Sequence, residues 1–177
     1  MKRILILLLM ATATLITAPG ASGQGKINRT TVKNLDLKRY LGTWYEIARF
    51  PHSFEKDLQG VTATYSLRED GKIKVLNQGY KGSINGPLKV AEAKAKIPDP
   101  TKPARLRVSF FLFFYSDYLV LELDPDYQWA LVGSKSENFL WILSRTSKMD
   151  PAVYNNLVNK AKERGYDISR LEKVIHK

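Results

Sequence analysis

The chain contains no cysteine among its 177 residues. It can therefore form no disulfide, and it offers no cysteine to which an N-terminal lipid could be attached. Histidine is almost as scarce, since His52 and His176 are the only two and stand far apart, so alone they make neither a Ser-His-Asp set nor a metal site. No glycine-rich phosphate loop is present. These absences predict no catalytic residue, no metal and no cofactor.

Long apolar runs are also missing, except at the start of the chain. Lys2 and Arg3 precede an apolar run over residues 4–18, and residues 19–25 are mostly small. This order is typical of an export signal. An uncleaved membrane anchor would need about 20 continuous apolar residues, whereas three threonines interrupt this shorter run. We expect a cleaved signal over residues 1–23 and an exported protein.

Polar residues without any period follow the signal over residues 24–34, which predicts a flexible N-terminal segment. The remaining residues, 35–177, form one predicted domain of a size that can bury a core. We expect this domain in the periplasm or outside the cell, in contact with the outer membrane without a lipid anchor.

Acidic residues are few, with 17 Asp and Glu against 28 Lys and Arg. Without the signal the net charge is about +9. The cations are dispersed among apolar residues, which does not indicate a nucleic-acid-binding surface. Their surplus favours contact with anionic surfaces, including phospholipid headgroups, and with acidic ligands.

Apolar and polar residues alternate over most of the domain, and segments rich in Gly, Pro, Asp and Ser separate the alternating runs. This pattern predicts eight strands: 43–50, 59–68, 71–79, 88–97, 104–112, 117–124, 128–134 and 138–145. The connections are too short for crossover helices, so the sheet should be antiparallel and up-and-down. Eight such strands can close into a barrel or split into two packed sheets.

One helix is predicted after the strands. Asp150 suits the N-cap, Pro151 the first helical position and Gly165 the exit, which indicates a helix over 151–164. Its single apolar stripe should pack on the outside of the sheet. Residues 35–42 suggest one helical turn, and the last eleven residues could add a short ninth strand.

Three segments resemble the signature regions of the lipocalin family: Gly42-Thr43-Trp44 before the first strand, LDPDYQWALV at 123–132, and Arg145 after the eighth strand. The stretches GTWYEIARF, VTATYSL, RVSFF and LWILSRT are similar to bacterial lipocalins and apolipoprotein D-like lipocalins. The resemblance implies a closed all-β barrel of eight antiparallel strands with one C-terminal helix outside. Lipocalins are themselves a standard example of an eight-stranded barrel that can hold one small ligand.

Strand counting then gives Gly42, Trp44 and Arg145 a structural role. An up-and-down order places Trp44 and Arg145 at the same, closed end of the barrel. A guanidinium over an indole face contributes about 0.5–2 kcal/mol, and its donors can also hold backbone carbonyls. We expect these residues to close one end of the barrel, as a stopper, and to have no catalytic role.

Side-chain alternation starting from Trp44, together with the resemblance to lipocalins, predicts which residues of each strand point into the barrel. For the sixth strand the inward face remains undetermined. The predicted ligand-binding residues are Ala48, Ala63, Tyr65, Val75, Asn77, Val108, Phe110, Ala130, Val132, Phe139, Trp141 and Leu143. These side chains could simply fill the barrel, but the alanines among them favour a cavity. Glu46 should also point inward, where it could pair with a cation or bind ligand; pairing is favoured because buried charges need partners.

The open end should carry Phe54, Phe113, Phe114 and Tyr115, which are unusually aromatic for exposed loops. Such clusters mark contact with a membrane or a partner, and we favour ligand entrance or membrane contact over a dimer interface. An apolar wall with few polar groups suits an acyl chain. The predicted function is binding, storage or transport of a fatty acid or lysophospholipid, in envelope lipid maintenance, by a monomer or weak homodimer without nucleic acid. The alternatives are an interaction module with a filled barrel and, less favoured, a lipocalin-like enzyme.

Overall fold

The computed structural model describes residues 26–111 and 114–177, so the predicted signal over residues 1–23 lies outside the described residues. The elements, in chain order, are α1 (Leu37–Tyr40), β1 (Gly42–Arg49), β2 (Leu58–Leu67), β3 (Ile73–Lys81), β4 (Leu88–Lys96), β5 (Arg105–Phe111), β6 (Phe114–Leu123), β7 (Trp129–Gly133), β8 (Leu140–Ser144), α2 (Pro151–Glu163) and β9 (Glu172–Lys173). Short 3-10 turns occupy Ser53–Glu55 and Ile168–Arg170.

The eight long strands form a closed antiparallel barrel. Successive strands from β1 to β8 pair with one another, and β1 also pairs with β8, which closes the sheet. The short β9 pairs with the end of β1, at Ala48 and Arg49. The predicted eight-stranded up-and-down barrel and the ninth edge strand are therefore confirmed. Closure leaves the barrel with an inside and an outside, and each has its own apolar core.

The two cores lie on opposite faces of the sheet. The inner core contains Trp44, Tyr40, Leu106 and other buried side chains that point into the barrel. The outer core lies between β1, β6, β7, β8 and the helix α2, and it includes Leu121 and Leu157. Burial on both faces explains why residues 118–121 of β6 are all apolar, a pattern that left the inward face of this strand undetermined from the sequence.

Helix α2 begins at Pro151 as its capping pattern predicts and ends at Glu163, one residue before the predicted end. The Asp150 carboxylate accepts the N–H groups of Ala152 at 2.7 Å and Val153 at 3.3 Å, and Gly165 leaves the helix with φ +92°. The apolar stripe packs on the barrel through Leu157, which is fully buried. In the part of the chain described, no helix has the length and apolar character needed to cross a bilayer.

The segment before α1 is not the loose tether that its polar sequence suggests. Within its described residues, Asn28 N–H donates to the Arg164 carbonyl at 2.8 Å and Val32 N–H donates to the Val120 carbonyl at 3.0 Å. Arg164 in turn donates through Nη1 to the Thr30 carbonyl at 2.9 Å. The polar sequence of residues 26–34 does not reveal this anchoring, because the partners lie far away along the chain.

The structure also corrects the orientation of Ala48. The β1–β8 register shifts between Glu46 and Ala48, so one extra residue of β1 interrupts the alternation there. Ala48 consequently points outward and lies fully buried in the outer core. Arg49, predicted by simple alternation to face outward, has its guanidinium against Glu46 instead. Ala48 is therefore not part of the cavity wall.

Candidate functional site

The closed end of the barrel is built from the residues that the signature segments supply. The Cζ atom of Arg145 lies 3.8 Å from the centroid of the Trp44 ring. Its guanidinium donates to the carbonyls of Tyr127 at 3.2 Å, Thr43 at 3.0 Å and Arg39 at 2.6 Å. A single side chain thus joins β1, the β6–β7 turn and α1, as the sequence analysis expects.

Gly42 fits beside this stopper for a steric reason. Its φ is +93°, a backbone conformation that favours glycine, and a Cβ there would lie 3.4 Å from Arg145 Nη1. The indole Nε1 of Trp44 donates to the Tyr40 carbonyl at 2.9 Å, which ties α1 to the base.

Above the base lies a cavity of about 570 Å³ that is open to solvent. Nine of the predicted ligand-binding residues line it: Ala63, Tyr65, Val75, Asn77, Val108, Phe110, Phe139, Trp141 and Leu143. Most of the remaining wall, which the sequence analysis did not assign, comes from the upper parts of β2, β3 and β4, and includes Leu58, Val61 and Ala91. The wall is predominantly apolar with a few polar groups, which suits a hydrophobic ligand.

Ala130 and Val132 point inward but do not reach the cavity. Both are fully buried in the inner core. Their cross-strand neighbours on β8 are Leu143 and Trp141, respectively, and these larger side chains line the cavity in their place. Ala130 and Val132 therefore belong to the inner core and not to the cavity wall, where they were expected.

Of the four aromatic residues expected at the open end, the structure places Phe54 at the rim, on the side of the first loop. Phe54 is 55% exposed and its ring centroid lies 5.9 Å from that of Phe139 and 6.3 Å from that of Phe110. Phe113 lies outside the described residues, and so does the side chain of Phe114. Tyr115 is turned to the outside of the barrel, where the Lys96 ammonium lies 4.7 Å from its ring centroid.

A buried charged cluster forms part of the wall beneath this rim. Glu46 Oε1 and Arg49 Nη1 are 2.6 Å apart, and both side chains are almost inaccessible. Arg49 Nη2 also donates to the carbonyls of Glu55 and Leu58, each at 3.0 Å. Glu46 therefore has the cation partner that the sequence analysis favoured. Burial, and then the neighbouring Glu55 carboxylate, raise the pKa of Glu46 well above its usual value.

Glu55 is a member of this cluster that the sequence pattern did not reveal. Its Oε2 atom lies 2.8 Å from His52 Nε2 and accepts the indole N–H of Trp141 at 3.4 Å. The side chains of His52 and Glu55 are both buried. The two residues are three positions apart in a loop that follows a strand. This spacing could have indicated a turn in which the two side chains face each other, but it could not have indicated that they are buried.

Three tyrosine hydroxyl groups meet at the deep end of the cavity. The Oη atoms of Tyr40 and Tyr118 are 2.7 Å apart, and Tyr65 donates to Tyr118 at 3.0 Å. Burial is the largest cause of the raised pKa of all three. The hydroxyls satisfy one another, so the cavity ends on a neutral polar floor rather than on a charge.

The barrel, its stoppered base and its apolar cavity define a small-ligand-binding β-barrel protein. A family model described as a lipocalin-like domain matches residues 35–176. The chain belongs to the lipocalin family. Lipocalins bind small hydrophobic ligands inside the barrel, and the cavity has the position and the lining for this.

Named relatives cover nearly the whole chain. Outer membrane lipoprotein Blc of Escherichia coli (strain K12) is 44% identical over 168 residues, which are 95% of this chain and 94% of Blc. Apolipoprotein D of Macaca fascicularis is 37% identical over 180 residues, covering 94% and 92% of the two chains. Among solved structures, the cockroach allergen Per a 4 superposes with a TM-score of 0.65 at 26% identity, over 84% of this chain and 92% of the allergen. The predicted resemblance is confirmed.

Proposed function

We propose that this lipocalin binds and carries the single acyl chain of a fatty acid or lysophospholipid in the bacterial cell envelope. The observation that carries the proposal is the apolar cavity of about 570 Å³, closed by Arg145 and Trp44 at one end and open at the other. A tail can enter such a cavity while its polar group stays at the opening.

The energetics favour an acyl chain. Burying about eight methylenes at ~0.8 kcal/mol each contributes roughly 6 kcal/mol before the cost of association, which makes micromolar affinity attainable. Sugars and nucleotides would instead leave many polar groups unpaired against side chains such as Val75, Val108 and Leu143.

The charges around the cavity support an orientation with the headgroup outward. Lys89 is exposed and lines the upper wall, so a carboxylate or phosphate at the opening would meet a cation. Deeper, the Glu46 carboxylate is already paired and the tyrosine floor is neutral. Among the described residues that line the cavity, Lys89 is the only lysine or arginine, so an anionic headgroup would meet no cation at the deep end.

The two rival functions have less support. A barrel filled with side chains, acting only through its rim, is disfavoured because a cavity of this size remains. Catalysis is disfavoured because the buried carboxylate of Glu46, which lines the cavity, is already paired with Arg49. We propose no catalytic role for any residue.

We propose that the protein is exported and works at the envelope. The supporting observations are the signal-like start of the sequence and the similarity to Blc, which is named as an outer membrane lipoprotein. The chain has no cysteine that could carry a lipid. Contact with a membrane would then depend on exposed side chains such as Phe54.

Native mass spectrometry of the purified protein tests the proposal directly. We expect a retained mass of one fatty acid or lysophospholipid, and saturable binding of a fluorescent fatty acid such as cis-parinaric acid by the delipidated protein. Absence of saturable binding by correctly folded protein would refute the cavity function.

A matched pair of variants locates the binding site. Ala63 faces the cavity, whereas Thr62, its neighbour on β2, faces outward by strand alternation. Ala63→Phe should weaken cis-parinaric acid binding at least tenfold because the new ring occupies the cavity. Thr62→Phe should bind as the unmodified protein does. Equal effects of the two substitutions would contradict a site inside the barrel.

A further inference from the structure

The described hydrogen-bonded ladder between β4 and β5 is short. Strand β4 pairs with β3 from Leu88 to Ala95. Within the described residues, its pairing with β5 covers Lys94–Lys96, which lie opposite Arg107–Ser109. Within the ranges that the structure describes, the β5-facing edge of residues 88–93 therefore has no ladder partner. We call this unpaired stretch the seam.

The cavity opens sideways at the seam. Residues 88–92 are all exposed, although a strand in a closed wall should bury every second side chain. Val90 and Ala91 on one side and Phe110 on the other line the cavity, and Val90 is 56% and Phe110 45% exposed. Leu88 is 49% exposed and extends this exposed apolar surface away from the cavity.

A band of cations covers the outer face of the wall directly below the seam. We call it the basic strip: Lys74, Lys94, Lys96, Arg105 and Arg107. The sheet register sets two pairs of like charge directly opposite each other, Lys74 with Lys94 and Lys96 with Arg107. Like charges in cross-strand pairs destabilise a sheet.

Neighbouring carboxylates compensate only part of this charge. Glu92 lies 2.8 Å from Lys74, and Asp117 lies 4.0 Å from Arg107. The surplus positive charge therefore faces solvent beside an exposed apolar edge. This arrangement lowers the stability of the isolated sheet. It suits contact with a surface that is anionic outside and apolar within.

We propose that the protein docks side-on against an anionic phospholipid bilayer, with the basic strip on the headgroups and the seam turned toward the acyl chains, so that lipid passes through the seam. The inference rests on the proposed lipid-carrying function and extends it by naming the docking surface. A second copy of the chain fits this face poorly, because two basic strips would repel each other. A nucleic acid would match the cations but would leave Leu88 and Val90 uncovered.

Docking can be measured without any bound ligand. The test is co-sedimentation of the delipidated protein with vesicles of phosphatidylcholine mixed with phosphatidylglycerol, compared with pure phosphatidylcholine vesicles. We expect binding to the anionic vesicles only, decreasing as salt screens the charges. Equal binding to both kinds of vesicle, or binding to neither, would overturn the inference.

A charge-matched pair of triple variants locates the surface. Lys94→Gln, Lys96→Gln and Arg105→Gln together remove three charges of the strip, and none of these residues lines the cavity. We expect roughly tenfold or greater loss of vesicle binding. The control removes three exposed lysines elsewhere, through Lys38→Gln, Lys148→Gln and Lys162→Gln, and should lose less than twofold. Similar losses in the two variants would refute a localised docking surface.

Lipid transfer separates this inference from the function on which it rests. A fluorescent fatty acid is transferred from loaded protein to quencher-containing anionic vesicles, and transfer through docking should accelerate as vesicle concentration rises. The strip variant should bind the fatty acid normally but lose this concentration dependence. If the strip variant binds fatty acid normally and its transfer rate still rises with vesicle concentration, side-on docking is refuted and the proposed function is not. The same conclusion follows if Phe54→Ser loses this concentration dependence and the strip variant keeps it. Failure to bind fatty acid at all would refute the proposed function, with the vesicle experiment still deciding the docking surface.

Discussion

Replacing Arg145 by alanine should destabilise the closed end of the barrel. The guanidinium makes three hydrogen bonds to backbone carbonyls, and a solvent-accessible bond of this kind is worth about 1 kcal/mol. Its position over the Trp44 ring adds about 0.5–1 kcal/mol. We therefore expect Arg145→Ala to lower the free energy of unfolding by about 3–4 kcal/mol.

The assay is equilibrium urea unfolding followed by circular dichroism, so that the signal does not depend on the indole that Arg145 covers. Arg145→Lys keeps the charge but loses the planar fork that reaches three carbonyls, and it should lose about 2 kcal/mol. A double-mutant cycle with Trp44→Phe should give a coupling energy near 1 kcal/mol. A loss below about 1 kcal/mol for Arg145→Ala would refute the view that the stopper stabilises the closed end.

Three further substitutions test other parts of the fold. Asp150→Ala removes the cap of helix α2 and should cost about 1 kcal/mol in urea unfolding, with Asp150→Asn retaining most of the stability. Burial and the Glu55 carboxylate raise the pKa of Glu46. Between the ordinary carboxyl pKa and the raised one, the folded protein therefore holds a proton that the unfolded protein has released. The free energy of unfolding should fall as the pH rises through this range. Glu46→Gln should flatten that slope above the ordinary carboxyl pKa; an unchanged slope would contradict this explanation. Gly133→Ala places a Cβ 2.5 Å from Tyr166 Oη and should cost about 1–2 kcal/mol, part of which Tyr166→Phe should recover.

Much of the fold was predictable because its determinants are local in the sequence. Helix α2 begins at Asp150 and ends before Gly165 because a carboxylate and a glycine act on their own neighbours along the chain. The strands were recognisable from period-two alternation between turn-forming residues. The meeting of Trp44 with Arg145 required only the count of strands between them, since an even number of antiparallel passes brings the chain back to the end where it started.

The errors occur where long-range pairing decides the outcome. Ala48 turns outward because the β1–β8 register slips by one residue, and no residue within β1 signals that slip. The segment 26–34 is fixed by the carbonyls of Val120 and Arg164, which lie far away in sequence. The seam depends likewise on where the β4–β5 ladder stops, which the alternation of β4 alone does not reveal.

The distribution of packing also explains how the barrel can remain hollow. A cavity of about 570 Å³ forgoes the contacts that side chains would make if they filled it. That loss falls on the upper part of the barrel, while Trp44 packs the base and Leu157 of α2 packs the outside of the wall. Because the outer core and the stoppered base do not involve the cavity, the chain can maintain the fold without filling the space that a ligand would take. The seam lies between β4 and β5, whereas the outer core that packs against α2 is built on β1, β6, β7 and β8.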